Sequence, residues 1–409
     1  MATQAHAGRR PENTAAGQKA LRAAMAAKAA ALVPLLREKA AETERGRRIP
    51  DQVLAALDAA QLFRLRAPQR FGGFEGDLRT YMDVVIELGR GCGSTGWISF
   101  ISIATAWIAA QFSDQAQRDV FEGNPDARTI GVLAMTIPAK PVDGGYVVSG
   151  RWPYASNCLH AHWAILAVPL PAAGGAIAPG LVLMPMRELT IEDTWHVVAM
   201  RGTGSQTVIA TDVFVPAHRV LPVEALASGR SPRTQTDEVV YRESFMPTAI
   251  IAVAAPVLGM AQAALDLTLT RLGGAPKPIA YSFYDDLRKA PSMQLELAEA
   301  ATLIETALVV VRRWCDDIAD AARAGDELPF TRRAQMRMDL GHAMRHCRQA
   351  VGLLLSVQGA SAFAESNPLQ RVWRDLEMAS RHGLLAGEVP HEIYGRALLG
   401  NFEPLSPFV

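Results

Sequence analysis

Cysteine is scarce in this chain, and its four residues, Cys92, Cys158, Cys315 and Cys347, are scattered without a CxxC pair. That excludes a zinc finger and a disulfide framework, leaves no metal site to expect, and fits a reducing cytoplasm. An excess of one charge is also lacking: Lys+Arg and Asp+Glu both number 41 in 409 residues. With no basic field, neither nucleic acid nor an anionic membrane is an expected partner. No GxGxxG fingerprint stands in a strand–turn–helix setting, so no nicotinamide dinucleotide site is expected. Met1–Lys28 carries Arg and Lys but no compact apolar core before a cleavage site, and reads as a frayed lead-in rather than a signal peptide. Two apolar stretches fall short of membrane spans. Gly96–Phe112 is studded with Ser and Thr, and Ala249–Leu267 carries Pro256, Gly259, Gln262 and Asp266. Both read as buried bundle helices.

What is present is ample core. Hydrophobic residues make up 49% and charged residues 20% of a chain longer than one core usually serves, so two or three packed units are expected. Residues 17–120 are rich in Ala and Leu and helical in pattern. From about 125 to 222, Gly, Pro and Val punctuate short apolar runs, the texture of an all-β insert. A polar linker follows, and then long helical seams. Met293, Leu297, Ala300, Ile304, Ala307, Val311, Trp314 and Ile318 alternate spacings of four and three, as do Met336, Leu340, Ala343, Cys347, Ala350, Leu354 and Val357. Such paired seams predict an antiparallel bundle. The expected division is a helical unit over 1–124, a β-domain over 125–222, a linker over 223–240 and a four-helix bundle over 241–409. The fold class is mainly α with a central β-domain.

One segment is rich in chemistry. Asp143-Gly144-Gly145 supplies a tight hairpin turn, and Tyr146–Trp152 reads as the strand leaving it. The strand ends in Trp152, Tyr154, Ser156 and Asn157. Flat apolar rings beside a small hydroxyl and an amide suit a flat heterocycle with polar edges, which points to a flavin.

The order of helices, β-domain and bundle, with this motif in the middle, resembles the acyl-CoA dehydrogenase superfamily over nearly the whole chain. That resemblance implies a flavin held between β-domain and bundle, usually in a homotetramer. Ala134-Met-Thr-Ile-Pro138 resembles the family's Thr-Glu-Pro loop and brings in Thr136. Tyr154-Ala-Ser-Asn157 is similar to Trp-Ile-Thr-Asn, whose hydroxyl residue lies beside flavin N5, placing Ser156 there. Arg271 is similar to the arginine that meets the flavin diphosphate, and Gly359-Ala-Ser-Ala-Phe363 with Arg374-Asp375 resembles the late glycine run and Arg-Asp. The catalytic glutamate of the dehydrogenases is not matched in place: the corresponding position is Ala386, and alanine is no general base, with Glu388 or Glu392 the alternatives on another register of this longer loop.

A closer resemblance is to the two-component flavin monooxygenases of that superfamily, the hydroxyphenylacetate and steroid-ring hydroxylase type. Ser149-Gly-Arg-Trp-Pro-Tyr-Ala-Ser156, His160-Ala-His-Trp163, Trp195 to Ser205 and Trp373 to His382 carry it. It implies reduced FAD or FMN from a separate reductase, and O2, forming a C4a-(hydro)peroxide that hydroxylates an aromatic or heteroaromatic small molecule. The cofactor residues it implies are Thr136, Trp152, Tyr154, Ser156, Asn157, Arg201, Arg271 and Gly359. It makes Ser156 and His382 the catalytic residues, with Thr105, Trp107 and His160 in the substrate pocket. Thr105 stands where phenol hydroxylases often carry a histidine. That makes an indole, another electron-rich ring or an amine more plausible than a simple phenol. The alternatives are an N-oxygenase of an amine or amino sugar, then an acyl-CoA dehydrogenase, then a flavin-free oligomeric binding protein of the same fold.

Overall fold

The computed structural model describes residues 15–171, 176–234, 238–385, 388–403 and 405–406. Helices α1 (Ala15–Gly46), α2 (Asp51–Ala59), α3 (Leu78–Gly91), α4 (Gly93–Ala109) and α5 (Asp114–Phe121) come first. The presumed lead-in is therefore helical from Ala15 on, and Met25 is already core. Asp77 caps α3 by accepting from the Thr80 N–H at 2.7 Å, and Ser113 caps α5 by accepting from Ala116 at 3.3 Å.

Among the described residues eight strands follow: β1 (Thr129–Val132), β2 (Lys140–Val142), β3 (Gly145–Ala155), β4 (Trp163–Pro171), β5 (Ile177–Pro185), β6 (Thr190–Glu192), β7 (Gln206–Pro216) and β8 (Val220–Pro222). They form two four-stranded sheets, ordered β1-β4-β5-β8 and β2-β3-β7-β6, face to face, and together make up the expected central β-domain. The predicted hairpin is the β2–β3 turn, with Gly144 at φ 74°. β4 is apolar almost throughout because both its faces are covered. Ala164, Leu166 and Val168 face the inter-sheet core, while Trp163, Ile165 and Ala167 pack with α4 and α5.

The chain then returns to helices: α6 (Val223–Ala227), α7 (Phe245–Ala252), α8 (Ala254–Leu272), α9 (Pro291–Ala324), α10 (Phe330–Gln358), α11 (Pro368–Ala379) and α12 (Val389–Leu398). The expected linker runs through α6; its residues 235–237 lie outside the described residues. The seams of α9 and α10 face the core from Ala300 to Ile318 and from Met336 to Val357. Phe245–Leu272 is long and apolar enough to cross a membrane, yet 83% of its most apolar window is buried inside the protein. α8 is the central helix, packed on α3, α4, α10 and α11. Its Asp266 is clasped by Arg37 of α1 and Arg90 of α3, each at 2.6 Å. Close helix approach uses glycine: a Cβ on Gly89 would lie 2.8 Å from Pro256 O, and one on Gly259 2.2 Å from Ile86 O.

Candidate active site

A cavity of about 430 Å³ opens between α4, β1, α7 and the turn after α11. Phe100, Ile101, Ala104, Thr105, Trp107 and Ile108 of α4 supply one wall, and Gly131, Leu133, Thr248, Ala249, Ala252 and Val253 others. Arg66 lies at one limit and His382-Gly383-Leu384 at another. Helix α4 can serve both core and cavity because it is apolar on nearly every side.

Thr105 and Trp107 line this space as the sequence suggested. The Thr105 hydroxyl donates to Ile101 O at 2.8 Å and pairs with Thr129 Oγ1 at 2.6 Å. It is thus tied into α4 and β1 and is no base. Trp107 donates to Val240 O at 2.7 Å and stacks on Phe245, ring centres 6.3 Å apart. His382 lines the cavity and is at the same time open to solvent, while desolvation by the protein around it lowers its pKa, so the ring is neutral at pH 7. Its Nδ1 accepts from the Leu384 N–H at 3.3 Å, which puts the proton of the neutral ring on Nε2. His160 is not among the lining residues. Its Nε2 accepts from the Ile49 N–H at 3.3 Å, and its carbonyl accepts from Arg128 Nε at 2.8 Å. Burial, reinforced by Arg48 and Arg128, pulls its pKa to about 4. It is a neutral tie between the α1–α2 turn and the β-domain.

Ser156 stands behind α4. The β3–β7 register shifts between Trp152 and Ala155, and Tyr154 and Asn157 take φ values of 60° and 70°. The irregularity turns Ser156 away from the sheet. Its Oγ accepts from Trp97 Nε1 at 3.1 Å and lies 2.7 Å from Ser205 Oγ. Ser205 Oγ is 2.6 Å from Thr203 Oγ1, which donates to Met200 O at 2.8 Å. A hydroxyl has one proton. Thr203 uses its proton on Met200, so Ser205 donates to Thr203 and Ser156 donates to Ser205. Ser156 therefore keeps one unused acceptor site and no free proton. Trp97 also touches His382, ring centres 5.7 Å apart, linking this hydroxyl chain to the cavity.

The other expected cofactor residues divide. Thr136 Oγ1 and Asn157 Oδ1 are buried without a hydrogen-bond partner. The Asn157 amide donates to Ser102 Oγ at 2.9 Å. Tyr154 is 70% exposed and meets Trp195 edge-on; Met135, Ile137 and Val198 are exposed as well. Trp152 differs from expectation. It is fully buried in the inter-sheet core and donates to Ala167 O at 3.0 Å, leaving no ring surface for a ligand. Arg201 opens the 3-10 turn that carries Thr203, and its Nε is buried without a partner. Arg271 and Lys277 converge on Ser361 Oγ at 3.0 and 3.4 Å, beside Gly359, whose φ is 68°. This group lies about 27 Å along α8 from Val253, at 1.5 Å per residue. Ala386 lies outside the described residues.

Two sets of pairings escaped the sequence reading, which noted Arg374-Asp375 only as a motif. Arg374 bonds Glu44 at 2.7 Å and also the Val198 carbonyl, while Asp375 accepts from the Met200 N–H at 2.5 Å. The late Arg-Asp thus pins the loop bearing Thr203 and Ser205 to the bundle. The second is a buried ion pair at the cavity wall, Arg66 with Glu243. Neither has a local spacing signal, because both partners are far apart in sequence.

Comparison with known proteins agrees with this fold. The acyl-CoA dehydrogenase N-terminal domain matches residues 15–121, and the acyl-CoA dehydrogenase C-terminal domain matches residues 251–386. The flavin-dependent monooxygenase oxygenase subunit HsaA of Rhodococcus jostii (strain RHA1) is 36% identical, over 90% of this chain and 97% of its own length. The oxygenase component of an FADH(2)-dependent resorcinol hydroxylase from Rhizobium sp. (strain MTP-10005) is 33% identical, over 91% and 93%. The structure of XiaF from Streptomyces sp., in complex with FADH2 and glycerol, superposes with a TM-score of 0.89 at 36% identity, covering 96% of this chain and 98% of that one.

Proposed function

The chain belongs to the acyl-CoA dehydrogenase family and is an oxygenase component of its two-component flavin-dependent monooxygenases; from that premise we propose that it hydroxylates an aromatic or heteroaromatic small molecule with O2 and reduced FAD or FMN. The observation that carries this reading is the aromatic-lined apolar cavity ending at His382, one ring contact from the Trp97–Ser156 bond. A partner flavin reductase supplies the reduced cofactor. The cell compartment proposed is the cytoplasm, in keeping with four free cysteines among the described residues.

The residues fit a flavin. Unpartnered buried atoms on Thr136 and Asn157, an open acceptor site on Ser156 and the exposed ring of Tyr154 surround one strand end. Thr136, Tyr154, Ser156, Asn157 and Arg201 would hold the ring system. Arg271 and Lys277, with the Gly359 turn, would hold phosphate. Their distance from the cavity within one chain favours a second copy as their source, so we propose a homotetramer as the working assembly.

A bound reduced flavin would supply oxygen activation. The protein supplies placement, dryness and one positioned proton. Phe100, Ile101, Ile108 and Leu133 exclude water from the cavity. The Ser156 acceptor site suits the N5–H of a reduced flavin. His382 holds a proton on Nε2 and stays neutral at pH 7, the state of a hydrogen-bond donor rather than a base. Among the described residues lining the cavity none is placed to deprotonate a phenol, which favours rings reactive without ionisation. The apolar lining does not suit an amino sugar. No carboxylate lines the cavity among the described residues, which speaks against α-proton abstraction as in a dehydrogenase.

The test supplies reduced FAD or FMN and 18O2 with a panel of indoles, phenols and fused-ring aromatics. One labelled oxygen in product is the expected result. Peroxide alone with every substrate, or reduction of bound flavin by an acyl-CoA, would overturn the reading.

A further inference from the structure

Among the described residues lining the cavity, Arg66 alone carries a fixed charge, and it is 1% exposed. Its guanidinium lies over the Trp107 ring, 5.1 Å from the centroid, and Nη2 donates to Glu243. Glu243 is buried too, and burial raises its pKa against the pull of Arg66. The Tyr241 hydroxyl donates to the Arg66 carbonyl at 3.1 Å, holding the backbone beneath it. Yet Nε has no hydrogen-bond partner. A guanidinium carries five N–H donors, and one carboxylate oxygen uses few of them. Nε itself is shut off from the cavity, so an acceptor there would meet the remaining N–H groups of the same guanidinium, which Glu243 does not use.

The position of that donor matters as much as its presence. Arg66 sits over Trp107, near the C-terminal end of α4, whereas His382 touches Trp97, near its N-terminal end. Ten residues of helix separate the two, about 15 Å of axial rise. Between them the α4 face offers only Phe100, Ile101, Ala104, Thr105 and the Trp107 ring. A single small ring cannot meet both ends.

We propose that Arg66 is a specificity-determining residue: the substrate is elongated, with its reacting ring at the His382 end and an oxygen acceptor, carboxylate or carbonyl, bound by Arg66 at the other. This rests on the aromatic-hydroxylation reading and names the substrate class within it. Glu243 holds the guanidinium in place and limits how much charge the site presents. A fully aliphatic ligand would cover the cavity-facing part of the guanidinium without offering an acceptor, so the pair discriminates against it.

The test measures binding, without flavin, by equilibrium dialysis of the full chain. Three probes share one ring: 2-butylnaphthalene, 5-(2-naphthyl)pentan-2-one and 4-(2-naphthyl)butanoate. The expected result is tighter binding of one or both oxygenated probes by about 10- to 100-fold, the range of a hydrogen bond from a charged donor. Whichever of the ketone and carboxylate binds more tightly identifies the acceptor. The double variant Arg66→Met/Glu243→Gln removes both charges together, which buried pairs tolerate better than loss of one partner. It should bind all three probes alike. Equal binding of the three by the unaltered chain, or a preference that survives in the double variant, overturns the proposal while leaving the hydroxylation reading intact. Failure of all three to bind overturns the aromatic cavity and the proposal with it.

Discussion

Ser205→Ala should change which oxidation state of flavin the protein prefers. In the unaltered chain, with the Thr203 hydroxyl donating to Met200 O, the protons run from Ser156 through Ser205 to Thr203, over contacts of 2.7, 2.6 and 2.8 Å. Trp97 fills one of the two acceptor sites of Ser156. The remaining site can receive an N–H and can offer nothing. A reduced isoalloxazine presents a donor at N5, and an oxidised one a bare acceptor. Deleting the Ser205 hydroxyl releases the Ser156 proton, which can then reach an oxidised N5. Binding of the reduced form is unaffected, because Ser156 still accepts. The gain for the oxidised form is one neutral hydrogen bond, about 0.5–1.5 kcal/mol, or roughly 2- to 12-fold in affinity.

Equilibrium dialysis with oxidised FAD and FMN, and anaerobically with the dithionite-reduced forms, gives the ratio directly. Ser156→Ala serves as the control, since it removes donor and acceptor together and should bring the ratio of the two affinities toward unity. An unchanged ratio in Ser205→Ala, or one moved further toward reduced flavin, would refute the proton assignment.

Three further outcomes are expected. Trp152→Ala should destabilise the protein by roughly 3–5 kcal/mol in urea titrations, as for a fully buried tryptophan, while flavin affinity of the folded fraction stays the same; weaker binding without lost stability would restore Trp152 to the cofactor site. Asp375→Asn should remove a pH dependence: burial raises the Asp375 pKa to about 6, so the native state holds its proton more tightly than the unfolded chain. Stability from this group is therefore present at low pH and lost as pH rises from about 4 to 6, ~3 kcal/mol in all. The variant keeps an acceptor for Met200 and should be more stable at pH 7, with a flat profile in that window by thermal melts. His382→Phe should preserve reduced-flavin binding and lower product formation by about 10²–10⁴-fold, the usual weight of a positioned proton donor; an unchanged rate at saturating substrate would exclude that role.

The fold was legible where periodicity carries it. The α9 and α10 seams, the apolar α8 and the β2–β3 turn each follow from spacing or turn chemistry within a few residues. Asp266 looked like an argument against a membrane span, and it is one: Arg37 and Arg90 hold it at the junction of three helices. The division of the β-domain into two sheets was not legible, because strand pairing is a matter of long-range register. Ala15–Lys28 was misread for a related reason. Its alanine-rich composition is helical by propensity, but what holds it is packing of Leu21 and Met25 on the core.

The site divides along the same physical line. Sequence order predicted Ser156 and His382 together with Thr105 and Trp107, and folding brings these four to one cavity and its neighbouring hydroxyl chain. It could not separate Trp152 from Tyr154, two positions apart on β3. Alternation alone would set both on one face, the inter-sheet side. The register shift and the positive φ at Tyr154 break that parity, leaving Trp152 fully buried and Tyr154 open. Nor could sequence find Arg66. An arginine two residues before Pro68 reads as a surface charge until Glu243, 177 positions later, is seen to enclose it. A pairing that distant has no local signature, even though Arg66 lies over Trp107, which the sequence did place in the pocket. The motifs around Ser156 and His382 therefore report on the reacting end of the cavity, and Arg66 with Glu243 reports on the end where substrates are told apart.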